Sequence, residues 1–242
     1  MIINSVDNKK IKYIKKLKES KFIEKEKKFI VEGEHLVLEA LKHGYLLEVI
    51  KTNDYDKEFD IDTIIVSDSV MKKISSMTTA CDVIGVCKLI DESKDLGNKI
   101  ILLDGVQDPG NVGTIIRSAL AFNFNTVVLN SCCAKKYNDK VIRATQGMIF
   151  NVNVINKDFS NFIPKLKENG YLVYGTNVID GIPIKSLKKS DKIAIIMGSE
   201  GKGISENISK LVDKNIYIKM NSNCESLNVS VAASIIMHEL GD

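Results

Sequence analysis

The segment "KIILLDGVQDPGNVGTIIRSALAFN", residues 99–123, decides how this 242-residue chain is read. Ile100–Leu103 is an uninterrupted apolar run, as expected of a strand covered on both faces in a parallel sheet. Pro109, Gly110 and Gly113 then crowd the turn into a helix that carries Arg117. The chain has thirty-two lysines and two arginines, Arg117 and Arg143, so arginine is a rare residue at this junction. A phosphate cradle, a plain tight turn and part of a catalytic site all fit the junction taken alone.

The same alternation continues on both sides. Towards the C-terminus the patterns predict strands over 126–130, 149–155, 171–175, 193–197 and 215–219, and helices over 159–168, 203–211 and 226–240. Towards the N-terminus, Ile11, Ile14, Leu17 and Phe22 recur at helical spacing above a polar face. A strand at Phe29–Val31, a helix from near Glu34 to Gly44, strands over 46–51 and 63–67, a short helix opened by Ser67 or Asp68, and a strand over 82–90 follow. The charged stretch "DESKDLGN" (91–98) is the linker candidate. The fold class is α/β: a small domain over 1–91, then a mostly parallel sheet with crossover helices over 98–242.

Composition narrows the function. A hydrophobic fraction of 44% supports a full core, and no apolar run approaches the ~20 residues that span a bilayer. No secretory leader is visible and no membrane partner is expected. Five cysteines without C-x-x-C spacing read as buried thiols in a cytoplasmic protein. His35, His43 and His238 are scattered, and no metal site is expected. Residues 1–28 hold ten lysines against four acids, while the whole chain is only +3. A basic segment beside a near-neutral body fits either a solvated helix face or a polyanion such as RNA.

In a parallel α/β sheet, ligands collect beyond the carboxyl ends of the strands. Three such junctions carry unusual chemistry here: 105–117, "IAIIMGSEGKGIS" (193–205) and "IYIKMNSNCESLNVSVAASIIMHEL" (216–240). Neither G-x-G-x-x-G nor G-x-x-x-x-G-K-[ST] is matched, which removes the dinucleotide-dependent oxidoreductases. Gly198, Gly201 and Gly203 allow a ligand close to the backbone. Ser226 is placed to cap the last helix, with Asn228 in its first turn.

Together the junctions read N-x-G-x-x-x-R (Asn111, Gly113, Arg117), G-S-E-G-x-G (198–203) and S-L-N-V-S-V-A (226–232), in that order. This set resembles the SpoU (TrmH-like) branch of the SPOUT RNA 2′-O-ribose methyltransferases. "FIVEGEHLVLEAL" and "SMTTACDVIGVCK" resemble that family's L30e-like substrate-binding domain. The resemblance implies a deep trefoil knot in the C-terminal domain, a homodimer formed through that domain, and S-adenosylmethionine as cofactor. It implies a cofactor pocket at Gly198, Ile218, Leu227, Ser226, Asn228 and Thr176, and a catalytic set of Arg117, Asn111, Glu200 and Asn228. RNA contacts are expected from Arg143, Lys9, Lys10 and Lys12. The implied substrate is 23S ribosomal RNA. Transfer RNA is the alternative, as is a non-catalytic RNA-binding or ribosome-assembly factor on the same scaffold.

The resemblance makes Arg117 the group that meets the ribose hydroxyl. A guanidinium holds its proton to above pH ~12, so neutralising one at pH 7 costs roughly 7 kcal/mol. Two roles stay open: a base whose proton is drawn off by an RNA phosphate, or a charged group that grips phosphate and steadies the alkoxide. Asn111 is expected to orient Arg117 or the ribose, Glu200 to hold Arg117 or a nearby amide, and Asn228 to fix the first loop.

Overall fold

A computed structural model of the chain describes residues 2–178, 180–187 and 190–241. The outermost positions of the two expected domains, 1 and 242, lie outside the described residues. In chain order the first elements are β1 (Ile2–Ile3), α1 (Lys9–Lys16), α2 (Ser20–Glu26), β2 (Lys28–Glu32), α3 (Glu34–Lys42), β3 (Leu46–Thr52), β4 (Thr63–Val66), α4 (Asp68–Ile74) and β5 (Val83–Lys88). There follow β6 (Lys99–Asp104), α5 (Pro109–Ala121), β7 (Thr126–Leu129), α6 (Asp139–Ala144), β8 (Asn153–Asn156), α7 (Phe159–Glu168) and β9 (Leu172–Thr176). The last are β10 (Ile182–Pro183), β11 (Ile193–Gly198), α8 (Glu206–Ser209), β12 (Lys214–Tyr217) and α9 (Val229–Leu240). They divide into two compact units. One runs through Asp91 and includes Tyr137–Phe150; the other holds Glu92–Lys136 and resumes at Asn151.

The first unit is built on a five-stranded sheet in the order β1-β4-β3-β5-β2. β1, β4 and β3 run parallel, and β5 is antiparallel to both β3 and β2. α1 and α4 cover one face, packing Ile11, Ile14, Val70, Met71 and Ile74 on Ile30, Ile50 and Ile84. The basic N-terminal segment is two helices. α1 is capped by Asn8, whose side chain accepts the Lys10 N–H at 2.8 Å, and it ends before α2 begins at Ser20.

The helix α6 was not legible in the hydrophobic pattern. Asn138 caps it by accepting the Lys140 N–H at 2.9 Å, and Val141 and Ile142 bury against the first unit, where α6 packs on β2. The strand expected over 149–155 is confined to Asn153–Asn156. Gln146 and Gly147 take positive φ (49° and 81°) and turn the chain into a short 3-10 segment, Met148–Phe150. Phe150 then stacks on Tyr45 and Phe29, at centroid distances of 5.6 and 6.4 Å. Burial of the aromatic ring outweighs strand propensity there.

Glu32, at the end of β2, is a buried carboxylate with 2% side-chain exposure. It accepts the Ser76 N–H (2.9 Å), the Ser76 hydroxyl (2.6 Å) and the Ser75 hydroxyl (3.0 Å), and pairs with Lys18 at 3.0 Å. Burial pushes its pKa up, but the Ser76 and Lys18 contacts outweigh burial and leave it below the ordinary value of 4.5. A lowered folded-state pKa stabilises the fold above the unfolded pKa and ceases to do so as pH falls through the folded value. Glu32→Gln should therefore cost about 1–3 kcal/mol at pH 7. It should also flatten the loss of stability below pH ~4.5 expected of the parent protein; denaturant titrations at pH 7 and pH 4 check both.

The second unit is a seven-stranded sheet, β10-β12-β9-β11-β6-β7-β8, in which every neighbouring pair is parallel. Its core includes Ile100, Leu102, Val128, Ile155, Val173 and Ile196 from the strands, closed by Phe159, Ile163 and Leu166 of α7. Two helices are shorter than their patterns. α8 occupies only Glu206–Ser209, because 199–203 folds back on itself as a loop. α9 starts at Val229, and its cap is Asn228, not Ser226. The cysteines differ in environment: Cys87 and Cys133 are buried and Cys81 partly so, but Cys132 and Cys224 are exposed, contrary to the expectation of buried thiols.

Candidate active site

β6 and β11 are register neighbours, with Asp104 opposite Gly198, so their carboxyl ends deliver two of the motif loops side by side. The first loop is more helical than its glycines suggest. Pro109 is the first residue of α5, and Gly110 and Gly113 lie within the helix. Asp108 caps α5 by accepting the Asn111 N–H at 2.9 Å. A proline without an N–H suits that first turn, where the N–H would have no partner. Asn111 thus sits in the first turn, and Arg117 follows further along the same helix.

Side-chain amides bridge the three motifs. Asn111 Nδ2 donates to Glu200 Oε1 at 2.6 Å, and Asn228 Nδ2 donates to Asn111 Oδ1 at 3.1 Å. Asn228 Oδ1 accepts the N–H groups of Ser230 (2.9 Å) and Val231 (3.3 Å) and the Ser230 hydroxyl (2.6 Å). One asparagine therefore caps α9 and ties it to α5, and α5 is tied in turn to the 198–203 loop. Ser118 and Ser234 add a second α5–α9 link, hydroxyl to hydroxyl at 2.8 Å. Glu200 accepts from Asn111; among the described residues, Arg117 has no hydrogen bond or ion pair, and its side chain is exposed.

A cavity of about 480 Å³ opens beyond the ends of β9, β11 and β12. Thr176, Gly198, Ile218, Ser226 and Leu227 all line it, as does Glu200; Asn228 is turned to Asn111 and Ser230. Thr176 donates its hydroxyl to the Ile196 carbonyl at 2.9 Å, which binds β9 to β11 at the cavity's edge. Gly198 is needed for a reason internal to the loop. Ser199 and Gly203 exchange both backbone hydrogen bonds (3.1 and 2.9 Å), and a Cβ on Gly198 would lie 2.0 Å from the Gly203 carbonyl carbon. Gly203 itself has φ +65°, the left-handed region that glycine reaches without strain.

The residues expected to contact RNA lie in the other unit. Lys10 pairs with Glu48 at 2.8 Å and Lys12 with Asp7 at 2.8 Å. Arg143 pairs with Asp139 at 3.2 Å, one turn earlier on α6. Lys9 is exposed and has no ion pair among the described residues. Three polar groups escaped the sequence reading: Asp104, Asn130 and Ser205, which join beneath the motif loops. Strand-end Asp and Asn before glycine or serine are common turn residues, so nothing in the pattern marked them.

Parallel sheet, carboxyl-end cavity and three bridged motif loops together define an α/β protein with a ligand site at its strand ends. The SpoU rRNA Methylase family model matches residues 98–238, and the MRM3-like substrate binding domain model matches 8–85. The chain belongs to the SpoU rRNA methylase family. It is 35% identical over 243 residues to the 23S rRNA (guanosine(2553)-2′-O)-methyltransferase RlmP of Bacillus subtilis (strain 168), covering 98% of both chains. A structure assigned to the TrmH family of RNA methyltransferases, from Porphyromonas gingivalis, superposes with a TM-score of 0.87 at 30% identity, covering 98% of both chains. An AdoMet-bound rRNA methyltransferase from Sinorhizobium meliloti shares the fold, with a TM-score of 0.87 at 23% identity over 99% of this chain and 97% of that one. The fold class is that of the SPOUT methyltransferases, with an N-terminal substrate-binding domain.

Proposed function

We propose that this protein transfers the methyl group of S-adenosylmethionine to a ribose 2′-hydroxyl in 23S ribosomal RNA. The observation that carries the reading is the Glu200–Asn111–Asn228 bridge: Glu200 lines the cavity, and the same carboxylate holds the helix that presents Arg117. The cavity suits the cofactor. Its volume falls in the ~300–1,000 Å³ range of small-molecule sites, and apolar Ile218, Leu227 and Ile236 face a wall that includes the 198–204 segment. S-adenosylmethionine, when bound, supplies the methyl group and its sulfonium leaving group.

This chain's own residues position and neutralise. Ile218 and Leu227 would enclose a flat heterocycle, and Gly198, Ser226 and Thr176 line the same pocket. Arg117 stays charged, grips an RNA phosphate through its fork of donors and stabilises the oxyanion as the ribose hydroxyl passes its proton to solvent water, the freed oxygen then taking the methyl group. Its exposure and its lack of an acidic partner among the described residues leave it available for an external anion. Asn111 fixes α5 and so the direction of Arg117; Asn228 locks that arrangement to α9. Lys9, with Lys10, Lys12 and Arg143, adds phosphate contacts in the first unit, giving salt-sensitive RNA affinity.

Two copies associate through the second unit. Val231 and Ile235, one turn apart on α9, are 47% and 36% exposed, an apolar face that a second copy would cover. No helix among the described residues is long and apolar enough to cross a membrane, and the protein works on ribosomal RNA in the cytoplasm. Ribose-methylation mapping of total RNA from cells with and without the protein tests the reading. One 23S site should lose its methyl group, guanosine 2553, named for the Bacillus subtilis relative, being the first position to inspect. Loss confined to transfer RNA, or no loss at all, would overturn it.

A further inference from the structure

Beneath the motif loops lies a carboxylate that no step above uses. Asp104, the last residue of β6, is 6% exposed. It accepts the Ser205 N–H at 2.7 Å, the Ser205 hydroxyl at 2.7 Å and the Asn130 amide at 2.6 Å. Asn130 Oδ1 takes the N–H of Gly105, the residue after Asp104, at 3.1 Å. One carboxylate thus gathers the ends of β6 and β7 and the exit of the 199–204 segment.

Ser205 shows that this arrangement overrides a local preference. It is the N-cap residue of α8, where a serine hydroxyl ordinarily accepts an N–H of the helix's own first turn. Here it makes no such cap bond, and its hydroxyl donates to Asp104, which lies 101 positions away in the chain. Bonds to a charged acceptor are about twice as strong as neutral ones, which accounts for the choice. The 198–204 segment forms one wall of the cavity. Its entry is held by the Ser199–Gly203 backbone pair and its exit by Ser205 on Asp104.

We infer that Asp104 is a positioning residue for the cofactor: acting through Ser205, it holds the 199–204 wall in the shape that binds S-adenosylmethionine. The inference rests on the proposed function for the identity of the ligand. Asp104→Asn replaces an acceptor oxygen by an NH₂ that meets the Ser205 or Asn130 donors. The full-length protein is titrated by calorimetry with S-adenosylhomocysteine, the demethylated cofactor.

Asp104→Asn should weaken binding about tenfold or more, and Ser205→Ala, at an exposed position, roughly threefold to tenfold. Ser205→Thr, which keeps the hydroxyl, should restore affinity to within about twofold. Thermal unfolding run in parallel separates positioning from a purely structural role, which would lower Tm and leave affinity at 25 °C unchanged. Should Asp104→Asn fail to fold, the Ser205→Ala and Ser205→Thr pair decides alone. Binding by the parent with all folded variants inside twofold of it overturns the positioning role. Absence of binding by the parent overturns both this inference and the proposed function.

Discussion

Arg117→Ala should lower the turnover of methyl transfer by about 10²–10³ or more, the usual effect of deleting one group that stabilises a developing oxyanion. The Kd for S-adenosylhomocysteine stays within a few fold, because Arg117 does not line the cavity. Stability barely changes, since the side chain is exposed and makes no hydrogen bond or ion pair among the described residues. Arg117→Lys keeps the charge but loses the planar fork, and restores only part of the rate. Single-turnover methylation of a 23S fragment with excess enzyme measures the step directly. Turnover retained in Arg117→Ala would remove it from the chemistry.

Gly198→Ala has the largest expected effect on the cofactor. The added Cβ would lie 2.0 Å from Gly203 C, 2.2 Å from Ile204 N and 2.5 Å from Gly203 O. All three are backbone atoms, so no side-chain rotation relieves the clash. The Ser199–Gly203 pair must open, and the cavity wall moves with it. Overpacking costs typically about 1–3 kcal/mol and occasionally more, which corresponds to a loss of affinity of about fivefold to a hundred-and-fiftyfold. Gly201→Ala is the stability control, because nothing lies within 4 Å of a Cβ built there. Calorimetry and thermal melts on the two variants test the contrast; equal melting temperatures and equal affinities would show that the loop yields freely.

Most strands of the second unit were legible because burial leaves continuous apolar runs; the two-residue edge strand β10 is too short to leave a pattern. β6 and α7 fall where their patterns placed them. The failures have local causes. α6 is a short helix whose cap, Asn138, sits in a polar stretch without periodicity. The first half of the strand expected over 149–155 is lost to a positive-φ turn at Gln146 and Gly147 and the 3-10 segment that follows it. Ser226 and Asn228 are both good capping residues, and the choice between them depends on Asn111 waiting across the gap.

The sequence by itself determined the α/β class, the order of three motifs and, through their resemblance to a family, the residue types of the site. Tertiary structure alone decided how those motifs join. Glu200 holds Asn111, Asn228 reaches across to α5, and a serine placed to cap its own helix instead binds Asp104. Periodicity and capping preference act within a few residues of the chain. A side-chain carboxylate or amide takes its partners from whatever the fold brings within about 3 Å, and here those partners lie some ninety to a hundred and twenty positions away.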